Sequence, residues 1–102
     1  MFLISLTYKT DLSEIDAHLS DHRAYLDRNI ESGVFLLAGR KAPRTGGVIL
    51  AVAPDRDALV KIVQEDPFVA HGLATYEITE FEVTRSSGRF PDLGDQPRIR
   101  TA

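Results

Sequence analysis

Gly47-Val48-Ile49-Leu50-Ala51-Val52-Ala53 is apolar on both sides when drawn as an extended chain, with Val48, Leu50 and Val52 facing one way and Ile49, Ala51 and Ala53 the other. Such a strand lies inside a sheet and needs cover on both faces. Just upstream, Val34 to Gly39 sets Val34, Leu36 and Ala38 against Phe35, Leu37 and Gly39, and the intervening Pro43 and Gly46-Gly47 are turn residues. The two runs read as a hairpin. Further out, Phe2-Leu3-Ile4-Ser5-Leu6-Thr7-Tyr8 alternates cleanly and reads as a first strand, while Tyr76 to Val83, rich in β-branched and aromatic residues, reads as a fourth. Between the first two strands the spacing predicts one long helix from Ser13, its cap, to Ser32, with Gly33 as the left-handed residue past its end. Its apolar stripe is Ile15, Leu19, His22, Leu26 and Ile30. Asp55 caps a second helix with Leu59, Ile62 and Val63 inward, which Asp66-Pro67 ends, followed by a turn through Phe68 to Gly72.

Strand, helix, strand, strand, helix, strand is the ferredoxin-like βαββαβ order of an α+β domain, with right-handed crossovers placing both helices on one face of an antiparallel sheet. The other face, on the order of 400 Å² of partly apolar surface, is then bare. Its expected cover is the same sheet of a second copy, a homodimer through the sheet face, with the C-terminal tail as the competitor. The expected domain spans residues 1–85. The tail, 86–102, carries Gly88, Pro91, Gly94 and Pro97 without periodicity and is expected to be flexible or packed on the dimer.

Composition narrows the function classes. The 102 residues include 43% hydrophobic and 26% charged residues, enough for one cored domain. No cysteine is present, which removes disulfides, thiolate metal sites and cysteine nucleophiles. A net charge of -3 argues against a nucleic-acid partner, and no apolar run is long enough to span a membrane. A cytoplasmic location is expected.

His22 stands out because an imidazole on a buried stripe must find hydrogen-bond partners. It reads either as a satisfied core histidine or as a general acid and base, since an imidazole titrates near neutrality. Asp66 stands out because Glu65 and Asp66 place carboxylates at a helix end whose macrodipole opposes them. It reads either as an Asx turn before Pro67 or as a carboxylate that orients His22. His18 and His22, four apart, also have the spacing of a metal pair with His71 nearby, but lack the general-base glutamate of the zinc-protease motif, and no metal is expected. Arg40, Lys41 and Arg44 put three cations in the hairpin loop, either solvated or holding a carboxylate or phenolate near the site. Tyr8 is the tyrosine best placed to edge a pocket.

His22-Arg23-Ala24-Tyr25-Leu26, Gly33, Leu36-Leu37-Ala38-Gly39, Gly46-Gly47-Val48-Ile49-Leu50-Ala51, Asp66-Pro67-Phe68-Val69 and Tyr76-Glu77-Ile78 together resemble the YciI-like (YCII-related) family over residues 1–84. The resemblance implies a dimeric α/β barrel of ferredoxin-like type, similar to muconolactone isomerase, with a catalytic His and Asp in each pocket. Those roles fall on His22 and Asp66, with Tyr8, Gly39, Arg40 and Phe68 as candidate substrate-binding positions. A protein resembling this fold dehydrochlorinates a chlorinated hydroxyquinol, which implies proton transfer on a small cyclic or aromatic compound. The expected function is a cofactor-independent lyase or isomerase. The alternatives are a non-catalytic homodimeric module that binds a small molecule, or a cofactorless monooxygenase of related barrel type. The sequence departs from the family at Gly39-Arg40, where many relatives have Gly-Pro, and at Leu19, where some have arginine. Both departures alter the charge of the pocket.

Overall fold

A computed structural model describes residues 1–90. Four strands, β1 (Phe2–Tyr8), β2 (Phe35–Arg40), β3 (Gly46–Ala51) and β4 (Ala74–Glu80), form one antiparallel sheet in the order β2-β3-β1-β4. That is the strand order of the ferredoxin-like α+β fold, in which each crossover leaves room for one strand between the two it connects. The register sets the faces. Phe2 pairs with Ala51, Ile4 with Ile49 and Ile78, and Phe35 with Ala51, and all of these are buried together with Ile15, Tyr25, Leu59, Val63 and Phe68 from the helices. All the helices therefore share one face of the sheet. On the other face Leu37, Leu50, Leu3 and Thr79 form a row across the four strands, with Leu37 and Leu3 exposed.

The simple alternation expected in β2 fails at one point. The register slips between Phe35 and Leu37, so Phe35 and Ala38 both face the helices while Leu37 joins the open face. A bulge places an extra residue in one strand and so shifts the side-chain parity beyond it, which a strict period of two does not anticipate. The ends of β2, β3 and β4 also sit one to three residues from their expected positions, the ordinary consequence of reading boundaries from composition.

The long first helix is two helices, α1 (Leu12–Ala17) and α2 (Leu19–Glu31), broken at His18, whose φ of -109° and ψ of 8° leave the helical region. Its cap is Asp11, not Ser13: the Asp11 carboxylate accepts from the Glu14 amide, and the Ser13 hydroxyl donates to the same oxygen. The buried stripe is rotated as well. Tyr25 is buried, Ile30 is 44% exposed, and Leu19 and Leu26 are half-buried. Ile15, ahead of the break, is buried as expected; within α2 the inward face turns toward Tyr25, whose hydroxyl reaches Ile62 on the neighbouring helix. Asp55 caps α3 (Arg56–Gln64), whose Leu59 and Val63 are fully buried. The segment expected as a turn instead contains a short helix, α4 (Pro67–Ala70), with Asp66 as its cap and Pro67 at its first position.

After β4 the chain continues across the edge of the open face. The Phe81 amide donates to the Met1 carbonyl, and Phe81, Val83 and Phe90 border a small apolar hollow with Met1 and Leu50. Of the tail expected from residue 86, only residues 86–90 are described, with Ser86 buried; the remainder lies outside the described residues. Among the described residues no helix is long and apolar enough to cross a membrane.

Candidate active site

His22 sits in the first turn of α2 and Asp66 caps α4, 44 positions later, and the two side chains meet: His22 Nδ1 lies 2.9 Å from Asp66 Oδ1. Asp66 is 1% exposed and the imidazole 14%. The same Oδ1 accepts the amide of Phe68 at 2.9 Å, an Asx turn that opens α4. The turn and the histidine contact are therefore made by one oxygen. Nor does the carboxylate oppose a helix dipole: α3 has already ended at Gln64, and Asp66 stands at the favourable end of the next helix.

With Asp66 ionised the carboxylate can only accept, and His22 then carries a proton on Nδ1 across the 2.9 Å contact. In the neutral imidazole, Nε2 then holds a lone pair. Asp66 Oδ2 is buried and has no hydrogen-bond partner among the described residues.

Aromatic packing fixes the plane of the ring. Phe68 stacks on His22 at a centroid distance of 4.0 Å and 13°, and Tyr8 meets Phe68 edge-on at 5.8 Å. Tyr25, three residues from His22 on α2, donates its hydroxyl to the Ile62 carbonyl at 2.7 Å and ties α2 to α3. Burial raises the Tyr25 phenol, with the negative charges of Asp66 and Glu65 adding to the shift, so it remains a neutral donor.

The exposed edge of His22 borders a cleft of about 260 Å³ between α2 and the ends of β1, β2 and β3. Tyr8, Gly39, Arg40 and Phe68 line the same cleft, while Asp66 stands behind the imidazole and does not border it. The walls are apolar, supplied by Leu6, Leu19, Leu26 and Ile49. β3 begins with two glycines, where the neighbouring backbones approach closely. A side chain at Gly46 would place its Cβ 1.8 Å from the carbonyl oxygen of Leu6, and one at Gly47 would sit 3.1 Å from that of Gly39.

The hairpin cations do not act as a group. Arg40 borders the cleft, Lys41 donates to the Thr7 hydroxyl at 3.3 Å, and Arg44 bonds the Asp16 carboxylate at 2.5 Å. His18 does not join His22: its ring packs against His71 with centroids 4.3 Å apart, and no cluster of three or more metal-binding side chains occurs among the described residues. Arg23 also lines the cleft and was not singled out from the sequence. Its signal was its place beside His22, about 100° around the helix and so off the buried stripe at the rim.

Comparison with known proteins agrees with the architecture. The YCII-related domain matches residues 1–82. No curated protein matches the chain. Among solved structures, 5-chloro-2-hydroxyhydroquinone dehydrochlorinase from Burkholderia phenoliruptrix AC1100, in complex with 2,5-dihydroxybenzoquinone, superposes with a TM-score of 0.70 at 20% sequence identity. The match covers 80% of this chain and 93% of that one, a likeness of fold.

Proposed function

This chain belongs to the YCII-related family, and from that premise we propose that it is a lyase or isomerase in which His22 moves a proton on a small cyclic or aromatic substrate held in the cleft. The observation that carries the reading is the 2.9 Å contact between His22 Nδ1 and Asp66 Oδ1 behind an imidazole that borders open space. Nε2 accepts the proton of a substrate C–H or O–H bond, and Asp66 stabilises the imidazolium that results. In an isomerisation the proton returns to another position. In an elimination the C–H electron pair becomes the new double bond, the leaving group departs with its own pair, and the proton passes to solvent. Only a proton passes between protein and substrate in either case, so the chemistry proposed calls on no cofactor. Tyr8, Gly39, Arg40 and Phe68 are the proposed substrate-binding positions. The 2,5-dihydroxybenzoquinone in the dehydrochlorinase supports the choice of a ring-shaped substrate.

The same reading takes the working unit to be a cytoplasmic homodimer paired through the open sheet face. The row Leu37, Leu50 and Leu3 supports it, since burying such a row against its symmetry mate removes apolar surface from water.

The test is turnover of a panel of hydroxyquinols and lactones by the wild-type protein, His22→Ala and Asp66→Asn. Expected is loss of activity in His22→Ala and a fall of about 10²–10⁴ in kcat in Asp66→Asn, where the carboxamide no longer fixes the tautomer. Turnover that survives His22→Ala removes His22 as the base. Ligand-induced stabilisation without any product favours a binding module.

A further inference from the structure

Arg23 and Arg40 reach the rim of the His22 cleft from opposite sides, one from α2 and the other from the end of β2, and neither guanidinium has a hydrogen bond or ion pair among the described residues. Behind them Arg44 is paired with Asp16. The Asp16 carboxyl is held below the usual carboxylate range chiefly by its hydrogen bond to Arg44, and more weakly by the charges of Arg40 and Arg23, so all three guanidinia lie within electrostatic reach of one carboxylate. The rim therefore carries two positive charges in excess.

The interior offers the opposite chemistry. Leu6, Leu19, Leu26 and Ile49 form apolar walls, and Gly46 and Gly47 expose flat backbone. A neutral ring would fill this interior and leave two guanidinia with only water. A ring bearing an oxyanion would satisfy both ends at once, because guanidinium bonds to an anionic oxygen are among the stronger hydrogen bonds a protein makes.

We propose that the cleft selects a small cyclic compound carrying one oxyanion, a carboxylate or phenolate, which Arg23 and Arg40 clasp at the rim while the ring enters toward His22. The proposal rests on the cleft being the substrate site. It adds to that reading the charge of the substrate and its orientation, oxyanion outward and reacting carbon inward.

Calorimetric titration with benzoate, 4-nitrophenolate and the neutral benzyl alcohol, at a pH where both acids are ionised, tests it. Benzoate, 4-nitrophenolate or both should bind at least about tenfold more tightly than benzyl alcohol at low salt, and which of them does so identifies the oxyanion. The preference should weaken as ionic strength rises toward 1 M. Arg23→Gln combined with Arg40→Gln, checked for native circular dichroism, should bring the ratio close to one. Equal binding of anion and alcohol, no binding of either anion, or a preference untouched by the double substitution overturns the proposal. Turnover assays on the wild-type protein separate it from the catalytic reading. An anion preference with no turnover by the wild-type protein leaves the clasp standing and removes the proton chemistry, whereas turnover of neutral rings without anion preference does the reverse.

Discussion

Asp66 Oδ1 serves two donors, the Phe68 amide and His22 Nδ1, and this sharing couples the start of α4 to the chemistry of the site. The two partners of the pair are not equivalent energetically. Replacing His22 with leucine strands a buried carboxylate, a loss of the kind that costs about 3–5 kcal/mol. Replacing Asp66 with asparagine keeps an oxygen for the Phe68 amide and sets a neutral NH2 group where Oδ2 has no partner, at about 1–3 kcal/mol. Urea unfolding of the two variants should show this asymmetry, and equal losses would mean that Asp66 is not held as a charged group. Gly46 offers a second test. Its missing side chain lets β3 approach Leu6, so Gly46→Ala should cost about 1–3 kcal/mol or more, read from its unfolding midpoint.

Among the elements, the break at His18 shows where sequence pattern stops being informative. The strands and α3 follow from alternation and from Asp55, which local chemistry states directly. The α1–α2 break has no proline or glycine to announce it, and the buried face of α2 is set by Tyr25 reaching Ile62 on another helix, a contact 37 positions away. Likewise the bulge in β2 depends on its pairing with β3. His22 and Asp66 could be singled out because each contradicts its local surroundings, one polar on an apolar stripe and the other acidic near a helix end. Arg23 contradicts nothing locally, and only the three-dimensional cleft gives it meaning.

The Arg44–Asp16 pair, which fastens the hairpin loop to α1, titrates in a predictable direction. The native Asp16 carboxyl lies below its ordinary 3.8, so the pair's contribution is complete above that value and disappears as pH falls through the lower native one. Carboxyl-carbon NMR should place the Asp16 midpoint below 3.8 in the wild-type protein and return it toward 3.8 in Arg44→Gln. An unchanged midpoint would mean that the loop is not fastened there.

For the whole molecule, one side of the sheet builds the site and the other presents leucines. Leu37 is 47% exposed, so Leu37→Asp should barely disturb the fold of a single copy while placing a charge in the proposed interface. Sedimentation should show a dimer for the wild-type protein and a shift to monomer for Leu37→Asp. A wild-type monomer would assign the cover of that face to the segment that follows β4.

Proton exchange between His22 and a ring bound in the cleft is the central proposed event. Incubation with a dihydroxybenzoquinone in D₂O, followed by mass spectrometry of the recovered compound, tests it without knowledge of the physiological substrate. Incorporation of deuterium at a ring carbon should be faster with the wild-type protein than in buffer and fall to the buffer rate with His22→Asn. Equal incorporation by protein and buffer, or acceleration that persists in His22→Asn, would contradict it.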